Sequence, residues 1–479
     1  MSAPTVVPVQ LPPGGAPPRS IADLAERFAS GSAIVVDVDE LVATIEATGI
    51  SDRQAQLTYG VPTVFALGEA VLAHLWSTRH HPRAPHPTPP APKFARHALA
   101  RAALFLTPAV AALAAADVLA RVGWPLLAGT LLLGWAGGQS MACAGYARAA
   151  HGATAGALRM LAFAVVAAAA LSTTVIMVGP AHVVGDPLTT YAVCAAELVI
   201  FASTAAALVA DRVAAVLRWS VPVWAVSVGL LAGWIPSRFA YVLGLAVAVT
   251  AVRAFAPALR GDGSRRPAGV SGRAVAAYAL IGAGQAGAFL LVWRLAPGDG
   301  AAPPPATLPL LLAVPLIEVF IAWHAAGAAA GLEAYDDVDA YRRHLRGIGT
   351  LTLGALAPPL AIGAALVVAA YRLPYDLSRH EEARTLVLGV AAGVLLAGVF
   401  AVTLLLATRG RLLLAVSVGL APAVFAAVPA AGWLVAVPGG GVDSLIPVML
   451  PATVAGLAAT YVLGLAATAH TVFHPRSYR

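Results

Sequence analysis

Charge is what this 479-residue sequence has least of: Asp, Glu, Lys and Arg together make up 11% of it. A soluble chain of this length needs roughly a quarter of its residues charged to coat its surface. With 59% hydrophobic residues and a mean hydropathy of +0.81, the remainder cannot be arranged as one water-facing globule. Lysine is nearly absent; Lys93 stands alone and every other basic residue is Arg. The two cysteines, Cys143 and Cys194, lie inside apolar runs, which excludes a disulfide framework and a thiolate metal site. Alternating segments of about ten residues are missing, which excludes a membrane barrel. The polar, Pro-rich first 20 residues contain no apolar core of a signal peptide, so no cleavable leader is expected. Motifs of ABC-type and P-type ATPases are missing too, so any transport must draw on a gradient or on another protein.

What the sequence does have is apolar runs of about 20 residues, the length that crosses hydrocarbon as a helix. The expected fold is an all-α integral membrane protein with about twelve transmembrane helices. The spans fall near 99–120, 125–146, 160–179, 188–210, 219–234, 239–257, 274–293, 307–331, 347–371, 385–407, 412–437 and 445–471. Basic residues mark the cytoplasmic side of such a chain. In this register Arg121, Arg238, Arg294, Arg372, Arg379 and Arg384 fall outside, and the other 24 of the 30 Lys and Arg fall inside. Both termini are therefore expected in the cytoplasm, and the chain in a bacterial inner (cytoplasmic) membrane. The net charge of +7 then belongs to topology and lipid headgroups, not to a nucleic-acid surface. The longest basic loop, around Arg260–Pro267, divides the spans six plus six, as halves 96–257 and 274–479.

Ahead of the membrane domain, residues 1–20 read as a disordered arm and 21–77 as a small helical cytoplasmic module. Asp39 is placed as the cap of a helix over Glu40–Thr48 that stops at Gly49. Ser51 and Gln54 form a capping-box pattern for a second helix ending at Gly60, and a third runs from Val61 to Trp76. That third stretch, with Glu69 and His74, is short for a span and reads as soluble or interfacial. Residues 78–95 form a Pro-rich linker, and the membrane domain starts at 96.

An ionisable group inside a span is expensive and is a functional candidate by default. Glu197 lies near the middle of the fourth span and Glu318 near the middle of the eighth. His324 follows Glu318 by six residues, about 120° around the helix, towards the membrane edge. Each carboxylate either exchanges a proton or cation in a cavity, or hydrogen-bonds a neighbouring helix. Glu318 has no cation within one helical turn, so it faces a cavity, meets a group from another helix, or stays protonated. Gln139 and Gln285 are expected to hydrogen-bond between helices. Gly282-Ala-Gly-Gln-Ala-Gly287 matches the dinucleotide pattern GxGxxG but follows no strand, so no cofactor is expected. Gly229–Gly233 and Gly327–Gly331 match the close-packing GxxxG pattern. Prolines 222, 315, 358, 359, 422, 447 and 451 fall where they would kink or break spans. Outside, Asp376, His380, Glu381 and Glu382 form the one charged loop, suited to a headgroup or a metal, although no metal site is assigned there. The first external loop, about Arg121–Trp124, is too short for the acidic residues of a membrane glycosyltransferase.

The stretch Glu318–Gly354, EVFIAWHAAGAAAGLEAYDDVDAYRRHLRGIGTLTLG, joins the eighth span to a Tyr- and Arg-bearing amphipathic helix. It resembles the corresponding region of Pel-type polysaccharide exporters, within the MOP (multidrug/oligosaccharidyl-lipid/polysaccharide) flippase superfamily. The resemblance implies two six-helix bundles around a central cavity, exporting a polysaccharide or lipid-linked sugar. This chain departs from that pattern in its N-terminal module and in its few intramembrane arginines.

The expected function is a secondary transporter or flippase for envelope polysaccharide or its lipid-linked precursor, without catalytic residues. The alternatives are a non-transporting scaffold, or a multispan lipid or glycosyl transferase. Expected partners are membrane lipids and a cytoplasmic glycosyltransferase or synthase subunit docking through residues 21–77. Cysteine placed at Asp262 should be shielded from a membrane-impermeant thiol reagent in whole cells, and cysteine placed at Glu381 should be labelled. Labelling of both from one side would overturn the alternation of spans.

Overall fold

The computed structural model describes residues 20–30, 38–78, 92–119, 121–180, 184–260, 271–295, 308–335, 338–372, 380–436 and 446–472. Most of the expected arm, most of the linker, the basic loop after Arg260 and Asp376 lie outside the described residues. The described residues form helices, with one isolated bridge between Val122 and Gly185. They divide into two compact units. One takes the described residues of Pro90–His324 and Gly349–Phe473, the other those of Pro4–Pro89 and Ala325–Ile348.

The smaller unit contains four short helices: α1 (Ile21–Ser30), α2 (Val38–Ala47), α3 (Asp52–Tyr59) and α4 (Val64–Thr78). In α1 the apolar residues Ile21, Leu24, Ala25 and Phe28 recur at helical spacing, and the last three are buried. They close a core with Leu41, Ile45, Leu67, Val71 and Leu75. Burying each such Leu or Ile contributes about 1.5–3 kcal/mol, so α4 belongs to this core. Two expected caps are corrected. Asp39 lies inside α2, which starts at Val38, and Ser51 makes no side-chain cap bond. Asp52 instead accepts from the Val64 amide at 2.7 Å and caps α4 across the turn. Gly60 ends α3 in the left-handed conformation, φ 72°, as the stop signal requires.

The larger unit begins with α5 (Pro92–Ala114), which takes in the last four residues of the expected linker, and a short α6 (Ala116–Leu119). It continues through α7 (Trp124–Ala150), α8 (Thr154–Val178), α9 (Pro187–Val209), α10 (Val213–Leu231) and α11 (Tyr241–Arg260). After the basic loop come α12 (Gly272–Leu295), α13 (Leu308–Ala334), α14 (Val338–Gly354), α15 (Ala357–Arg372), α16 (His380–Thr408), α17 (Leu412–Ala436) and α18 (Ile446–Val472), the end of α13 and most of α14 belonging to the smaller unit. Ten stretches among the described residues are long and apolar enough to cross a membrane. The chain is thus a multi-pass, all-α membrane protein. Trp124–Ala150 and Leu412–Ala436 occupy the two remaining expected spans. The expected ninth span is interrupted: helix breaks at Ala355–Leu356, ahead of Pro358 and Pro359 in the first turn of α15. It continues through Pro222, Pro315 and Pro451.

Helices α5 and α7 to α11 pack mainly on one another, as do α12 and α15 to α18, and the α7–α12 contact joins the two sets. Loop contacts keep to two ends. At one end Asp186 N donates to Arg121 O and Gly123 N to Val184 O. At the other, Arg159 Nε donates to Ala258 O, and His97 lies 3.9 Å from Asp211. From α7 to α11 successive helices therefore run antiparallel from one end to the other.

Small residues set how closely these helices approach. A Cβ on Gly282 would sit 2.8 Å from Ala136 Cα of α7, and one on Gly284 would strike the carbonyl of Gly419 in α17. The GxGxxG pattern is therefore a packing seam. Gly327 and Gly331 likewise let Ile348 and His344 of α14 pack on the end of α13, where Tyr341 Oη donates to Ala328 O. Gly229–Gly233 is no such seam: Gly229 receives Ile235 of the following loop, and Gly233 turns the chain at φ 71°. Gly284→Ala should lower thermal stability in detergent by about 1–3 kcal/mol, the usual cost of overpacking. Gly287→Ala, with 4.0 Å to its nearest neighbour, should stay within about 0.5 kcal/mol of the parent.

Candidate functional site

The polar residues inside the spans do not converge on one cavity; they occur as pairs that join helices. Glu318, on α13, accepts from Arg101 Nη2 of α5 at 2.8 Å, and the two side chains are only 11% and 15% exposed. Of the three situations open to Glu318, the structure selects a group from another helix. That partner is separated from it by more than 200 residues of chain. The pair is charge-assisted and mostly desolvated, so it is strong while intact and costly to break on one side only. Arg101 Nε, buried beside it, has no hydrogen-bond partner.

His324 is 1% exposed. It lies ten residues before the end of α13, and Glu318 ten residues after its start. Its Nδ1 meets Arg409 Nη2 at 3.0 Å, just beyond the end of α16. A guanidinium only donates, so Nδ1 accepts. The rotation of about 120° between Glu318 and His324 sends them to different partners. One faces α5 in the first set of helices and the other faces the α16–α17 turn in the second. Helix α13 is thereby tied to both sets by a charged group on each side.

Glu197 of α9 accepts from Thr130 Oγ1 of α7 at 2.7 Å. Nine residues further along α7, about half a turn around in projection, Gln139 Nε2 donates to Gln285 Oε1 of α12 at 3.0 Å. Opposite faces of α7 thus serve α9 and α12. Gln285 is 2% exposed and its Nε2 has no partner. Aromatic rings surround this region. Trp135 lies 5.4 Å from Phe400, 6.0 Å from Phe289 and 6.3 Å from Phe201, and Trp293 contacts Phe289 and Trp124.

The external candidates do not form a described site. Asp376 lies outside the described residues, as do the side chains of His380, Glu381 and Glu382 at the start of α16. A groove of about 770 Å³ between α15 and α16 is lined by alanines, valines and Leu395, and none of the candidate residues faces it. Arg101 and Arg409 had been assigned to topology as cytoplasmic basic residues. For Arg101 depth was the available signal, since it lies five residues inside the apolar stretch Arg96–Ala114, whereas Arg409 lies one residue past α16 and carried none. Comparisons with protein-family models, curated proteins and solved structures give no match.

Proposed function

We propose that this chain is a secondary transporter or flippase of the cytoplasmic membrane, and that its transport cycle opens and closes the Arg101–Glu318 pair. The observation that carries this reading is an ion pair within apolar spans, between helices far apart in sequence, on the helix that also meets Arg409. Intramembrane charges are tolerated where they serve a pathway or a moving joint. A strong pair that separates when a carboxylate takes up a proton gives two states a gradient can bias. Twelve spans in two sets of six, with both termini cytoplasmic, suit the antiparallel loop contacts and the Arg distribution. An envelope polysaccharide or lipid-linked sugar as cargo rests on the resemblance of Glu318–Gly354 alone. The N-terminal module, with its own core and with Leu57 and Phe65 exposed, suits docking of a cytoplasmic glycosyltransferase or synthase subunit.

The test is flipping of a lipid-linked oligosaccharide in vesicles with an imposed pH gradient. Losing a charge-assisted hydrogen bond costs about 1.5–3 kcal/mol. Glu318→Asp, which keeps the charge but withdraws it from Arg101, should slow flipping about tenfold or more. Glu318→Gln, which cannot ionise, should abolish gradient-driven flipping in protein that still purifies folded. A Glu318→Gln protein moving cargo at the parent rate would refute this reading.

A further inference from the structure

The exposed surface of α10 and α11 carries a charge that meets an aromatic ring and no described carboxylate. Leu245, Val249 and Val252 of α11 and Val221, Val228 and Leu231 of α10 are all exposed, an apolar stripe that only hydrocarbon covers favourably. At one end of the stripe Trp234, Phe239 and Tyr241 are exposed, the composition of a membrane–water boundary. Twelve residues beyond Tyr241, about 18 Å along the helix axis, Arg253 is also exposed. It lies within the apolar stretch Tyr241–Ala258, short of the bilayer's opposite edge.

Arg253 is positioned there by Trp219. Its guanidinium carbon sits 3.9 Å from the centre of the Trp219 ring. The ring's own backbone is fixed to α11 by Thr250, whose hydroxyl donates to Trp219 O at 3.0 Å. Stacking on an indole covers the face of a guanidinium and leaves its in-plane N–H donors open. Arg218, the residue before Trp219, is exposed at the same end. Among the described residues no carboxylate pairs with Arg218 or Arg253, and Arg218 Nε donates to Ala214 O within α10. We propose that Arg253, stacked on Trp219 and assisted by Arg218, binds the phosphate of an anionic phospholipid whose acyl chains lie along the α10–α11 stripe.

The chemistry selects the occupant. A guanidinium fork matches phosphate oxygens two at a time, and a basic site at the end of membrane helices attracts anionic headgroups. The apolar stripe running away from Arg253 matches two hydrocarbon chains and offers nothing to a free anion. In the orientation proposed above, the lipid belongs to the cytoplasmic leaflet. The site does not depend on the transport reading.

Native mass spectrometry of the full chain in detergent, with equal phosphatidylglycerol and phosphatidylcholine, tests this. The parent protein should retain phosphatidylglycerol preferentially. One Arg near the headgroups is worth about 1 kcal/mol, or about fivefold, so Arg253→Gln should lower the preference by that factor. Arg253→Lys should keep part of it. Arg294→Gln, at the far end of α12, should change nothing. Equal retention of the two lipids by the parent, or an unchanged preference in Arg253→Gln, would overturn the proposal. If Arg253→Gln does not fold, Trp219→Leu takes its place, and parent-like retention there would be equally decisive. Millimolar inorganic phosphate should not displace the lipid; displacement would mean that the site takes the free anion instead.

Discussion

Hydrocarbon offers a polar side chain nothing to bind, and the architecture of this protein follows from how its few intramembrane polar groups meet that constraint. The backbone satisfies itself by forming helices. Each intramembrane candidate side chain finds a partner on another helix: Glu197 with Thr130, Gln139 with Gln285, Glu318 with Arg101, His324 with Arg409. Such bonds specify which helices are neighbours, because apolar packing alone discriminates weakly when lipid is as apolar as the helices. Glycines supply the complementary device by letting backbones close in. Gly282 and Gly284 bring α12 against α7 and α17 on its two sides.

Helix α13 holds the most consequential position. Its Glu318 and His324 point about 120° apart and reach basic residues in different helix sets. A rearrangement of α13 must therefore exchange or break one of two polar contacts in a medium where a bare charge is costly. In the proposed transport cycle α13 is therefore the element that would switch between two arrangements. Pro315, one turn ahead of Glu318, removes a backbone hydrogen bond where such a helix would bend.

The fold was largely legible in the sequence, because runs of about 20 apolar residues admit one solution. The stops at Gly49 and Gly60 and the break before Pro358–Pro359 were legible as well, since each follows from local backbone sterics. The capping side chains were not: a Ser or Asp at the right spacing shows that a cap is possible, but Asp52 was recruited across a turn by α4. Helix α1 carries the same kind of local signal in Ile21, Leu24 and Phe28, which recur at helical spacing. Glu318 was found as an intramembrane carboxylate, whereas its partner was hidden. Arg101 and Glu318 meet only through tertiary packing, and charge counting had already given Arg101 a topological role.

The most direct measurement is a double-mutant cycle on Arg101 and Glu318, read as unfolding free energy in detergent or bicelles. A mostly buried pair loses about 3–5 kcal/mol when one partner is removed and far less when both are. Arg101→Gln and Glu318→Gln should therefore each destabilise the protein strongly, and the double variant should recover most of the loss. Additive losses, or single variants as stable as the parent, would mean that the pair does not hold α5 to α13, and the joint on which the proposed cycle turns would not exist.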